Sequence, residues 1–138
     1  FSGHIFFKER WYGFDDGLYA AARLLEILTL AGQTLDELVD ALPSRSSTPE
    51  IKLATTEEQK FIFIEQLIAK AEFPDGQRTT IDGLRVDFAN GWGLVRASNT
   101  APVLTLRFEA VDEEELEKIK QQFKNELMKI DSTLELNF

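Results

Sequence analysis

The sequence contains no cysteine, a single histidine and no apolar run close to the roughly 18 residues that span a bilayer. Without cysteine the chain forms neither disulfides nor thiolate metal sites, and it is compatible with a reducing compartment. The lack of a long apolar run argues against a membrane-spanning helix, so we expect no membrane partner.

Basic residues are also in deficit. The sequence has 15 Lys and Arg residues against 24 Asp and Glu residues, so the formal net charge is −9. Nucleic-acid binding needs a basic footprint, so we expect no nucleic-acid partner. A small anion can still bind, because exposed charges are screened beyond about 10 Å. Gly-rich phosphate loops, nucleophile elbows and zinc motifs do not occur in the sequence.

The segment 43–49 divides the sequence into two parts. Pro43 and Pro49 bracket polar residues without an apolar anchor, which is typical of a linker. We therefore predict a first unit over 1–42, a linker or hinge over 43–49 and a second unit over 50–138.

The first unit begins with a strand pattern over 4–8 that has few candidate partner strands nearby. This pattern indicates a piece cut from a longer protein. Apolar residues then recur at helical spacing after Asp15 and Asp16, either of which can cap the helix. Gly32 is a candidate C-cap, and Thr34 begins a capping box for a short second helix.

The second unit predicts an α+β fold: a four-stranded antiparallel sheet with two helices packed on one face. The strands are expected over 50–54, 84–88, 92–97 and 104–110, with a brief additional strand over 79–81. The helices are expected from Thr55 or Thr56 to Ala71 and from Asp112 onward. Asn90-Gly91 predicts a type I′ hairpin turn, because both residues tolerate positive φ.

The most distinctive cluster of polar residues is Arg96, Ser98, Asn99 and Thr100, which lies in the loop before the last strand. Arginine offers a planar fork of donors, and hydroxyls, an amide and backbone N–H groups can complete a phosphate-binding nest. The alternative is an ordinary polar turn whose side chains bond to their own backbone. Residue types alone leave both interpretations open.

Other candidate residues carry weaker signals. His4 can move a proton or orient a phosphate, or it can be an ordinary residue near a chain end. Asp15 and Asp16 can act as metal ligands or as helix caps. No further ligand lies at useful spacing, so we predict no metal site in this chain.

Two stretches, "SGHIFFKERWYGFDDGLYAAARLLEIL" and "GWGLVRASNTAPVLTLRFEA", resemble the bacterial phosphomannomutase/phosphoglucomutase enzymes of the α-D-phosphohexomutase superfamily. The resemblance covers essentially the whole chain, and its most specific motif is R-A-S-N-T-x-P. It implies that 1–42 is a strand-helix remnant of α/β domain 3, which recognises the sugar. It also implies that 50–138 is the phosphate-binding domain 4. Such a remnant is expected to leave apolar surface exposed.

The resemblance implies a cytoplasmic parent enzyme of four domains. The parent would interconvert the 1- and 6-phosphates of glucose or mannose through a phosphoserine and a bisphosphorylated sugar. Its partners would be the hexose phosphate substrate and the N-terminal domains, with glucose 1,6-bisphosphate as activator. The phosphoserine and the Mg²⁺ site belong to domains outside this chain, so the isolated chain is expected to be inactive.

The site residues follow from the matched motifs. Ser2 would bond sugar hydroxyls, and His4 would lie near the reacting phosphate. Arg96, Ser98, Asn99 and Thr100 would bind the phosphate that is not being transferred. Phe1 stands where the family usually has methionine. The rival hypothesis is a non-catalytic phosphate-binding or interaction module that reuses this fold.

Overall fold

The computed structural model describes residues 3–138, which divide into one unit ending at Pro43 and another beginning at Ser44. The helices, in chain order, are α1 (Gly17–Ala31), α2 (Leu35–Asp40), α3 (Glu57–Lys70) and α4 (Glu113–Ile130). The strands are β1 (Ser46–Ser47), β2 (Ile51–Ala54), β3 (Gln77–Thr79), β4 (Leu84–Phe88), β5 (Gly91–Ala97) and β6 (Val103–Ala110).

Helix α1 begins and ends where the sequence predicts, and α2 begins after the predicted cap. The Asp16 carboxylate accepts the Tyr19 N–H at 3.0 Å and caps α1, and Gly32 ends α1 with a φ of 63°. Thr34 and Glu37 form the predicted capping box at α2. Thr34 donates two hydrogen bonds to the Glu37 carboxylate, which lower the pKa of that carboxyl. The bond from the Thr34 backbone N–H has the larger effect, and the bond from its hydroxyl adds to it.

Residues 4–8, which were predicted as a strand, do not form one. Phe6 and Asp15 make an isolated antiparallel bridge instead. A strand is stabilised by a ladder of backbone hydrogen bonds to a neighbouring strand. Residues 3–43 contain no strand, so the apolar pattern over 4–8 has no ladder to join within this unit.

The first unit leaves its apolar residues accessible, as expected. Within 3–43 no residue is buried. On α1 the side chains of Leu18 and Leu30 are 87% and 81% exposed. The helical periodicity therefore predicts the element correctly, but in this unit the apolar stripe packs against no core. Most of the buried apolar residues of the described chain form one cluster, and that cluster lies in the second unit.

The sheet of the second unit is built around β6. Its order is β3-β4-β5-β6, and β1 and β2 both pair with the other edge of β6, one after the other along the strand. Every named strand pair is antiparallel. Four of the six strands are those of the predicted sheet. The brief strand expected over 79–81 lies at β3 instead, and Ile81 is 93% exposed.

Both long helices of this unit pack on one face of the sheet. Alternation along β6 turns Leu104, Leu106 and Phe108 toward the helices, and each is at most 1% exposed. The Phe123 ring on α4 meets the Phe108 ring edge-on at 5.2 Å, and Leu67 of α3 belongs to the same cluster. The predicted α+β arrangement is confirmed.

Part of the segment 43–49 is bonded to the sheet. Ser46 and Ser47 pair with Ala110 and Glu109 as β1. The Thr48 N–H donates to the Phe108 carbonyl at 3.0 Å, and Thr48 Oγ1 accepts the Phe108 N–H at 3.2 Å. Residues 46–48 are therefore held by β6, and a hinge in 43–49 stays a prediction.

The hairpin between β4 and β5 differs from the predicted turn. Phe88 pairs with Gly91, so the connecting residues are Ala89 and Asn90. Neither Asn90 nor Gly91 has a positive φ, so the type I′ assignment is wrong. Gly91 serves a different purpose, because a Cβ there would lie 2.3 Å from the Glu109 carbonyl oxygen. A glycine is therefore needed at position 91 because β5 and β6 pack closely there, and not because the turn is left-handed.

Candidate anion-binding site

The loop 98–102 connects β5 to β6 at one end of the sheet. The Ser98 N–H donates to the Val103 carbonyl at 3.0 Å and closes the loop. The Ser98 hydroxyl accepts the Thr100 N–H at 3.3 Å, and the two hydroxyl oxygens lie 3.5 Å apart. Ser98 is 9% exposed, whereas Asn99 and Thr100 are exposed at the tip. The hairpin thus gathers three of the predicted polar side chains in one short turn.

Arg96 stands at the base of this loop, near the end of β5. Its neighbours Val95 and Ala97 are 0% and 7% exposed and face the core. Alternation therefore places the Arg96 side chain on the face of the sheet opposite the helices. Its guanidinium Nη1 lies 2.6 Å from Asp82 Oδ2, and the side chain is 33% exposed.

Asp82 reaches Arg96 because the turn between β3 and β4 presses against β5. Gly83 has a φ of 84°, and a Cβ there would lie 2.2 Å from the Val95 carbonyl oxygen. Only glycine fits this contact. The sequence patterns assigned no role to Asp82-Gly83. The close approach depends on strand pairing, which the dipeptide itself does not encode.

The donors at this site are suited to an anion. A guanidinium offers parallel N–H groups that match two phosphate oxygens, and hydroxyl and backbone N–H groups add further donors. The Asp82 carboxylate already occupies one of the Arg96 donors. An incoming anion must therefore share Arg96 with Asp82 or displace it.

The remaining predicted site residues belong to the first unit. Ser2 lies outside the described residues. His4 Nε2 is 3.6 Å from Asp15 Oδ2, with the side chains 59% and 44% exposed. Asp16 caps α1, which accounts for one of the two adjacent carboxylates.

Residues 3–138 contain no group of three or more His, Cys, Asp or Glu side chains placed to hold a metal ion. The described residues therefore do not fit the Mg²⁺ site that the resemblance implies for the parent. In the same part of the chain, no helix is both long and apolar enough to cross a membrane.

Two family models match this chain, and together they cover most of its length. Residues 50–126 match the family model "Phosphoglucomutase/phosphomannomutase, C-terminal domain". Residues 1–46 match "Phosphoglucomutase/phosphomannomutase, alpha/beta/alpha domain III". The chain belongs to the phosphoglucomutase/phosphomannomutase family.

Individual relatives agree with the family models. A phosphomannomutase/phosphoglucomutase of Pseudomonas aeruginosa is 58% identical over 99% of this chain and 30% of the relative. A phosphoglucomutase of Neisseria gonorrhoeae is 55% identical over 89% of this chain and 27% of its own length. A crystal structure of a phosphoglucomutase/phosphomannomutase family protein from Burkholderia thailandensis superposes with a TM-score of 0.86 at 45% identity. It covers 99% of this chain and 29% of that protein. The chain thus spans about three tenths of the relatives it matches.

We predict that Asp82→Asn tightens the binding of inorganic phosphate by up to about fivefold. The substitution keeps an oxygen acceptor for Arg96 but removes a negative charge that competes with the anion, and exposed ion pairs contribute about 0.2–1 kcal/mol. NMR titration of the 138-residue chain measures the affinity. Asp112→Asn, at the α4 cap, is a control that removes the same charge elsewhere. Weaker binding by Asp82→Asn would mean that the ion pair orients Arg96 instead.

Proposed function

We propose that this chain is the C-terminal part of a phosphohexomutase, and that its second unit binds the phosphate of a hexose phosphate that is not being transferred. The observation that carries the proposal is the closed hairpin loop that presents Ser98, Asn99 and Thr100 beside Arg96. This loop falls within the stretch matched by the C-terminal family model.

The proposed reaction requires a site that accepts a phosphate at either end of the sugar. A phosphoserine of the parent gives its phosphoryl group to the free hydroxyl of a hexose monophosphate and forms a bisphosphate. The bisphosphate turns around, and its other phosphoryl group returns to the serine. A loop that reads a plain anion through many donors holds the sugar at C1 or C6 equally well. The proposed substrates are the 1- and 6-phosphates of glucose or mannose, with glucose 1,6-bisphosphate as activator.

The first unit would contribute to recognition of the sugar. We assign Ser2 to the sugar hydroxyls and His4 to the neighbourhood of the reacting phosphate. The Asp15 carboxylate, 3.6 Å from His4 Nε2, is close enough to orient the imidazole. The serine nucleophile and Mg²⁺ would come from the parent's other domains in the cytoplasm. In this proposal, the described residues of this chain would supply binding and orientation.

Arg96→Ala is expected to weaken phosphate binding by about tenfold to a hundredfold, because a hydrogen bond to a charged group contributes about 1.5–3 kcal/mol. An NMR titration with inorganic phosphate and glucose 6-phosphate measures this change, and the amides of 96–100 should respond first. Arg45→Ala is the control, since it removes the same charge from an exposed residue of the second unit. Equal affinities for the two variants, or a response centred elsewhere, would contradict the assignment.

The 138-residue chain alone is expected to show no turnover of glucose 1-phosphate. The reaction needs a phosphorylated serine and a bound Mg²⁺, which the family carries in its earlier domains. A coupled assay of glucose 6-phosphate formation, with the full-length parent as positive control, gives the measurement. Any Mg²⁺-dependent turnover by the pure chain would overturn this expectation.

In the full-length protein, we expect the segment 43–49 to act as a hinge that closes the second unit over the substrate and excludes water. Residues 46–48 are already bonded to β6, so the change should concentrate at Pro43, Ser44 and Arg45. Hydrogen–deuterium exchange of the peptide covering this segment should slow when hexose phosphate binds. The same exchange in free and bound protein would argue against a hinge.

A further inference from the structure

Lys60 is an unusual buried residue. It lies near the start of α3, and its side chain is 1% exposed. Removing an ammonium from water costs several kcal/mol unless partners compensate for the lost hydration. Three partners do so here: Glu57 Oε2 lies 2.6 Å from Nζ, Nζ donates to the Ala101 carbonyl at 3.2 Å, and the centroid of the Phe61 ring lies 5.1 Å from Nζ. The second contact joins α3 to the candidate anion-binding loop, 41 residues further along the chain.

The Ala101 carbonyl accepts two hydrogen bonds in that loop. One comes from Lys60, and the other comes from the Val103 N–H at 2.9 Å, a bond that spans Pro102. The next carbonyl, of Pro102, accepts the Thr55 N–H at 3.0 Å. Two successive carbonyls at the end of the loop are therefore held by the segment that runs from β2 into α3.

The start of the loop depends on this anchored end. Ser98 is joined to the start of β6 by the hydrogen bond from its N–H to the Val103 carbonyl. The other polar contacts of Ser98 and Thr100 lie within the turn. If Ala101 moves, Val103 loses a bond and the partner of Ser98 shifts. The shape that Ser98, Asn99 and Thr100 adopt therefore depends on the contact that Lys60 makes.

We propose that Lys60 is a positioning residue for the phosphate site: its ammonium fixes the Ala101 carbonyl and holds the loop in its binding conformation. This inference rests on the proposed function of the loop. Glu57 offsets the charge of the ammonium, so Lys60 acts by holding the loop in place rather than by attracting the anion. The sequence gives no sign of this role, because Lys60 looks like one more charged residue on an amphipathic helix.

The test compares Lys60→Met, which keeps the length of the side chain and removes its donor, with Lys70→Met on the exposed end of the same helix. Hydrogen exchange should accelerate at least tenfold at the Ser98 and Val103 amides of Lys60→Met, with the central amide of Leu106 unchanged. Inorganic phosphate should bind at least fivefold more weakly to Lys60→Met, and equally well to Lys70→Met. Loss of protection throughout the sheet, or an unchanged phosphate affinity, would overturn the proposal.

Two further measurements separate this proposal from its alternatives. In the unsubstituted chain, the Lys60 ammonium protons should exchange more slowly than those of Lys70, and equal rates overturn the proposal without any variant. Glu57→Gln leaves the donor in place and should change phosphate affinity less than twofold. A larger gain would mean that Lys60 acts through its charge, which also overturns the proposal.

The proposed function can fail separately. If the unsubstituted chain does not bind phosphate, or if Arg96→Ala binds it equally well, then phosphate binding by this loop is wrong. The role of Lys60 is then decided by amide exchange alone. Faster exchange confined to Ser98 and Val103 in Lys60→Met supports positioning, and unchanged exchange rejects it.

Discussion

The register between β5 and β6 is the constraint on which the rest of the second unit depends. It pairs Val95 with Leu106 and Arg96 with Thr105. Because side chains alternate across a strand, a slip of one residue would turn Val95 to the solvent and Arg96 into the core. The Ser98 N–H bond to Val103 continues this ladder, so the loop inherits its geometry from the same register.

Close packing against the glycines of β5 opposes such a slip. Gly93 lies opposite Phe108 in the ladder, and a Cβ on Gly93 would lie 2.4 Å from the Phe123 ring. The Phe123 ring therefore packs directly on the backbone of Gly93, and it meets the ring of Phe108, on the neighbouring strand β6, edge-on. Shifting β5 by one residue would bring Trp92 or Leu94 to this position, where a side chain has no room. Helix α4 thus holds the hairpin that carries the site.

Local patterns predicted what local physics decides. The alternation over 104–110 predicts the central strand, and Thr34 and Asp112 cap their helices as predicted. Of the pairs Asp15/Asp16 and Thr55/Thr56, which the sequence left open, Asp16 and Thr56 are the caps. Each of these side chains accepts from a backbone N–H three residues further on. The features that were missed depend on distant partners. The strand over 4–8 needs a neighbour, β1 forms because β6 has a free edge, and Asp82 meets Arg96 across a strand pair. Periodicity in one segment carries no information about such pairings.

The candidate site also changes how the acidity of the chain should be interpreted. A net charge of −9 spread over the surface is screened and has little effect on an anion held by short bonds. One carboxylate at 2.6 Å from the guanidinium is different, because it contacts the very donor that the anion needs. Asp82 occupies one donor of Arg96 and therefore competes with an incoming anion for the same positive charge. Under the proposed function, this competition weakens the binding of the phosphate and eases its release. In that proposal, the affinity depends on the donors of the loop, on this competing carboxylate and on how firmly Lys60 holds the loop.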